Sequence, residues 1–181
     1  MKRIIAVLLL VSYVFAGCEK DDICDPSTKT TPRLVIDFYD KNNTSKKRAT
    51  TFLKIVADGF DEENVLLNPN GGKTWNDTVA YLPLRLNEDV TKYKLTLNFD
   101  DNDEDTDPKT DFLAINYTRE NVYISRACGF RTEFDLFGDP MRDPFILNNT
   151  PDVTLGNWIN DIQVIQSQIN NENEAHIKIF F

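Results

Sequence analysis

Lys92-Tyr93-Lys94-Leu95-Thr96-Leu97-Asn98-Phe99 alternates apolar and polar side chains without interruption. Side chains of an extended strand point to opposite faces with period two. Tyr93, Leu95, Leu97 and Phe99 therefore line a buried face, and Lys92, Lys94, Thr96 and Asn98 a solvated one. The same period runs outward in both directions. Towards the N-terminus, Leu34, Ile36 and Phe38 alternate with Val35, Asp37 and Tyr39. A polar turn over 41–48 then leads to Thr51, Leu53 and Ile55, which reads as an opening hairpin. Val65-Leu66-Leu67 makes a short strand between loop-like 61–64 and 68–72. Thr78–Asn87 sets Leu82, Leu84 and Leu86 on one face, and Pro83, which has no amide hydrogen, assigns that strand to an edge or a bulge. Towards the C-terminus, an acidic turn over 100–111 is followed by strands at 112–118, 122–128 and 130–137, with Gly129 marking a bend or bulge, and by a loop at 138–151.

The segment 154–169 reads two ways. Leu155, Trp158, Ile162, Ile165 and Ile169 recur at helical spacing, but Ile162-Gln163-Val164-Ile165 is rich in branched residues. The polar turn at 170–174 leads into Ala175, Ile177, Ile179 and Phe181, so a final hairpin is favoured over a helix. About eight short strands with polar turns give an all-β chain, an antiparallel β-sandwich of immunoglobulin-like kind. Eight strands also suffice for a closed lipocalin-like barrel carrying a small apolar ligand, which is the alternative.

Ahead of the strands stands a leader: Lys2 and Arg3, an apolar run Ile4–Val14, then Phe15-Ala16-Gly17-Cys18. The run suits a secretory signal and falls short of the roughly 20 residues that span a bilayer as a helix. Small residues followed at once by cysteine resemble the lipobox of bacterial lipoproteins, in which cleavage leaves Cys18 as the lipidated first residue. The expected organisation is a signal peptide over 1–17, a lipidated flexible tether over 18–32 and one sandwich domain over 33–181. Glu19, Lys20, Asp21 and Asp22 resemble the acidic surface-export signal of Bacteroidota lipoproteins. The expected location is the outer membrane, lipid-anchored and facing the cell surface.

The chain carries a formal charge of −9, and loss of Lys2 and Arg3 with the leader makes it more negative. An acidic domain repels nucleic acid, so no DNA or RNA partner is expected. If Cys18 carries lipid, Cys24 and Cys128 are the thiols left to pair in an oxidising compartment. The other reading, a buried Cys128 and a free Cys24, stays open.

Catalytic motifs are absent. The single histidine, His176, shares its side of the last strand with Lys178, which places it in solvent, away from any relay. There is no nucleophile elbow, phosphate loop, dinucleotide fingerprint or Cys-x-x-Cys, so neither enzyme activity nor a cofactor is expected. Asp101, Asp103, Asp105 and Asp107 fall on alternate positions as in calcium loops, but Thr106 replaces the turn glycine and Phe112 the bidentate glutamate, leaving a weak calcium candidate. Of the two tryptophans that could stack on a sugar ring, Trp158 is assigned to the core and Trp75, in a Gly-Gly turn, is the better exposed, a weak candidate.

Cys18–Cys24, Pro32–Tyr39, Asn116-Tyr117-Thr118, Ser125–Phe130 and Ala175–Ile179 together resemble a family of uncharacterised Bacteroidota lipoproteins, classed as a domain of unknown function. The resemblance implies a compartment and a one-domain layout and supplies no catalytic residue. The expectation is a non-enzymatic binding or assembly module, held to the membrane by its N-terminal lipid, whose partner is an envelope protein or a glycan.

Overall fold

A computed structural model describes residues 23–59, 65–99 and 107–181. Among these residues every regular element is a strand: β1 (Leu34–Asp40), β2 (Asn43–Lys47), β3 (Lys54–Ala57), β4 (Val79–Leu82), β5 (Val90–Leu97), β6 (Lys109–Asn116), β7 (Thr118–Ser125), β8 (Gly129–Asp135), β9 (Phe145–Leu147), β10 (Asp161–Val164), β11 (Gln168–Ile169) and β12 (Ile177–Phe180). The chain is all-β, and its sheets form a sandwich. One runs β10-β12-β1-β2 with β4 also on β1, one runs β3-β5-β6-β9, and a third runs β11-β8-β7. None of them closes on itself, so the barrel is not formed. The interior that a lipocalin would keep open is occupied by Phe38, Trp75, Phe134, Trp158 and Phe181.

The residues fall into two compact units. One comprises 23–30 and 122–131 of the described residues, the other 31–121 and 132–181. In the larger unit the inward residues of β5, Tyr93, Leu95 and Leu97, meet Leu34, Ile36 and Phe38 of β1 and Ile177 and Ile179 of β12 in one cluster. Burying a large apolar side chain contributes about 1.5–3 kcal/mol, which makes this cluster the main source of stability.

Five sequence expectations are corrected. The sheets are not wholly antiparallel, because β1 pairs parallel with β12 from Ile36↔Ile177 to Tyr39↔Phe180. β1 also pairs with β4 and β2, so it is interior, and Val35 and Asp37 are buried along with Leu34 and Ile36. The polar stretch over 41–48 is no simple turn. It contains β2, whose residues are all exposed, and Ile55 belongs to another sheet through pairing of β3 with β5, while Leu53 bridges to Trp75. The loop expected at 138–151 contains β9, which extends the sheet beyond β6 from Leu113↔Leu147 to Ile115↔Phe145. Gly129, at φ +68°, follows the turn of the β7-β8 hairpin and does not bulge a single strand.

At the C-terminus β10 pairs antiparallel with β12, as a final hairpin requires, with β11 leaving to pair β8 in between. Trp158 and Ile162 are buried while Leu155 and Ile165 are exposed, so the helical spacing of these residues does not describe one apolar face. Asp111 organises the approach to this hairpin. Its buried carboxylate accepts from the Asn148 side chain at 2.7 Å and from the backbone N–H groups of Asn157 (2.7 Å), Trp158 (3.0 Å) and Ile159 (2.9 Å).

The smaller unit is held by a disulfide between Cys24 and Cys128. The tether expected over 18–32 is thus fixed at Cys24. In the larger unit Pro32 is buried and Thr31 Oγ1 accepts from the Thr132 N–H at 3.0 Å. Cys18, Glu19, Lys20, Asp21 and Asp22 lie outside the described residues.

Candidate functional site

The outer face of the β3-β5-β6-β9 sheet carries a recess. Because Ile55, Tyr93, Leu95, Leu113 and Leu147 point into the core, strand alternation turns their neighbours outward. Pairing aligns these in rows: Val56, Lys94 and Phe112 in one, Lys92, Ala114 and Ile146 in the next, Val90 and Asn116 in a third. With Asp58, Arg142 and Asn149 they line a groove of about 480 Å³. Phe112, 55% exposed, is the aromatic surface of the groove.

Its backbone is held firmly. The Phe112 N–H donates to Asn148 Oδ1 at 2.9 Å and the Phe112 carbonyl accepts from the Asn148 N–H at 2.8 Å. Asn148 and Asn149 take positive φ of 50° and 67°, a turn conformation that asparagine tolerates better than most residues. Asn116 Nδ2 donates to the Asp143 carbonyl at 2.7 Å, fixing the other end of β6. Lys92 and Arg142 supply cations, and Arg142 lies 4.0 Å from Asp139, too loose a pair to neutralise it. Asp58 is the one carboxylate among the described lining residues.

A second recess of about 540 Å³, lined by Ala57, Val65, Leu66, Pro83, Leu84, Arg85, Thr91 and Tyr93, is largely apolar. Its hydroxyls are already engaged: Tyr93 donates to the Pro83 carbonyl, and Thr91 Oγ1 is 2.6 Å from the Tyr117 hydroxyl. Burial raises the Tyr93 phenol well above its ordinary pKa, so it is not a source of protons or negative charge.

The residues singled out from the sequence lie elsewhere. Asp101, Asp103 and Asp105 fall outside the described residues, and Asp107 is exposed, 3.9 Å from the Lys109 ammonium. Among the described residues no group of three His, Cys, Asp or Glu side chains could hold a metal. Trp75 is buried, which rules it out as an exposed stacking surface, and its indole N–H donates to the Leu66 carbonyl at 3.0 Å.

His176 is also misplaced by the sequence. It is fully buried: its backbone N–H donates to the Val35 carbonyl and its ring Nδ1 accepts the Val35 N–H, each at 2.9 Å. Strand alternation assigns it to the side opposite Ile177 and Ile179, the side of half-buried Lys178, yet at this end of β12 the ring is taken up by the Val35 backbone of the neighbouring β1. Burial pushes its pKa down, partly offset by the Asn171 backbone and by Glu172. Glu172 is itself held below the usual carboxylate range by Arg33, whose Nη2 is 2.6 Å from Oε2 and Nε 2.9 Å from Oε1. Neutral His176 with Nδ1 committed as an acceptor is a structural part of the sheet.

The model of a family of unknown function, DUF6452, matches residues 52–181. The chain belongs to that family. No curated protein and no solved structure matches it. The DUF6452 match contains the groove and Asp111 with its donors. It begins after β1 and β2, although β1 is the strand on which β12, β4 and β2 all pair. The DUF6452 segment thus relies on the preceding stretch for the middle of one of its sheets.

Proposed function

We propose that this is a lipid-anchored protein of the Bacteroidota outer membrane, facing the cell surface, whose sandwich binds an acidic glycan without transforming it. The leader 1–17, the lipobox cysteine Cys18 and the acidic patch Glu19–Asp22 support the anchor and its direction. The observation that carries the binding role is the groove in which exposed Phe112 stands with Lys92, Arg142, Asn116 and Asn149, in a chain of net charge −9. An aromatic face takes the apolar side of a sugar ring, amides take hydroxyls, and cations take carboxylate or sulfate substituents. Hydrolysis of a glycoside by the usual pair of acids needs two carboxyl groups about 5–10 Å apart. The described lining offers Asp58 alone, which favours binding over cleavage.

Exposed ion pairs contribute about 0.2–1 kcal/mol each, so a single site binds weakly and many copies on a membrane bind strongly through multivalency. Calorimetry of the mature protein with an acidic polysaccharide and its carboxyl-reduced form tests the reading. Binding should favour the acidic form, fall with added salt, and weaken about tenfold in Phe112→Ala and in Lys92→Glu, or about 1.4 kcal/mol. No heat with either glycan, or variants that bind like the parent, would reject it. Crosslinks from the groove to an envelope protein on living cells would replace the glycan by a protein partner.

A further inference from the structure

The smaller unit combines three features with no role in the groove. Its exposed side chains include Ile23, Tyr123 and Phe130, at 82%, 55% and 68% exposure. Tyr123 and Phe130 meet edge to face, with ring centroids 5.3 Å apart. Isolated exposed apolar residues are ordinary, but here three large ones share a unit of two short stretches, clamped through Cys24 and Cys128.

The two described stretches of this unit carry a charge opposite to that of the chain. Residues 23–30 and 122–131 contain Lys29, Arg126 and Arg131 against the one acid Asp25. Aromatic rings together with arginine and lysine are the composition of segments seated at a membrane interface, where the rings enter the acyl boundary and the cations stay with headgroup phosphates. The chain length then selects the occupant. Cys18 precedes Cys24 by six residues, which at about 3.3–3.6 Å per residue reach no further than about 21 Å.

From these observations we infer that the disulfide-clamped unit is a membrane foot: Tyr123 and Phe130 rest in the lipid interface beside the acylated Cys18. The inference rests on the lipid-anchor reading above.

The test uses the full acylated mature chain in phosphatidylcholine vesicles with brominated acyl chains. Flotation reports on the anchor: the parent should float with the vesicles and Cys18→Ser should not. Phe130→Trp then places a reporter at the foot, read against the parent, whose Trp75 and Trp158 are buried. Its emission should shift to the blue and lose about half its intensity to the bromines, as an indole in the interface does. Tyr123→Trp is the second reporter if Phe130→Trp folds poorly. A parent that does not float overturns the anchor and this docking with it. A floating protein whose reporter emits as in water and is not quenched overturns the docking and leaves the anchor standing.

Discussion

Replacing Asp111 should produce the largest loss of stability available from one polar side chain in this protein. Its carboxylate is fully buried and accepts four hydrogen bonds, three of them from the consecutive backbone N–H groups of 157–159. The Trp158 and Ile159 donors can be satisfied neither by a strand ladder nor by water while Trp158 packs against Phe181, ring centroids 5.6 Å apart, and sends its indole N–H to the Leu95 carbonyl at 3.1 Å. Leaving a buried donor without a partner costs about 1–3 kcal/mol. The Trp158 and Ile159 amides are buried and the Asn157 amide partly so, and the loop can relax. A loss of about 3–5 kcal/mol is therefore expected for Asp111→Ala, a large part of the 5–15 kcal/mol typical of a domain. Asp111→Asn, which keeps the shape but turns an NH2 towards the donors, should lose about 2–3 kcal/mol. At about 2–4 °C per kcal/mol for a chain of this size, Asp111→Ala should melt about 6–20 °C lower. Urea unfolding at neutral pH with the disulfide intact is the assay, and the midpoint should fall with the slope unchanged. A loss below about 1 kcal/mol in both variants would refute the argument, because the three amides would then have other partners.

Other outcomes follow from the same geometry. Gly156→Ala should destabilise by about 1–3 kcal/mol, since a Cβ there would stand 2.2 Å from the Ile159 carbonyl oxygen and 3.0 Å from Asp111 Oδ2; thermal melting checks it, and an unchanged midpoint contradicts it. His176 is held neutral in the fold with its pKa below the ordinary value of 6.5, so the unfolded chain binds the extra proton. Stability should accordingly be full above about pH 6.5 and decline as pH falls below it. Denaturant midpoints between pH 7.5 and 5.5 would show this decline, which His176→Asn should flatten; a parent equally stable at both ends would dismiss it. The Cys24–Cys128 disulfide, spanning 104 residues, should leave neither thiol open to alkylation in the unreduced chain. Its loss in Cys24→Ser should speed tryptic cleavage after Lys29 and lower stability by up to about 4–5 kcal/mol, the loop-entropy limit. Cleavage at the parent rate would show that the clamp does not order this stretch.

The strands with a solvated side were legible because a half-buried strand writes its environment into a period of two. Tyr93, Leu95 and Leu97 read correctly as inward for that reason, whereas Thr96, read as solvated, is buried and Phe99 lies beyond the end of β5. The same period carried into β6 turns Phe112 outward, the signal by which the groove could have been found. The polar β2 carries no such pattern, because an exposed edge strand buries nothing. β9 is three residues in a stretch rich in proline and asparagine, too short for a period to appear. Trp75 was read as exposed from the glycines before it, whereas its bridge to Leu53 draws the ring into the core.

The order of residues by itself determined the all-β class and most of the alternating inner faces, since each of these depends on neighbours in the chain. Tertiary structure alone decided that β1 is interior and parallel to β12, that His176 is buried, that Asp111 gathers three distant amides, and that Phe112 shares a groove with Lys92 and Arg142. Each of these depends on segments far apart in sequence, and which strand covers which is fixed by packing of the whole core, a property that no local period contains.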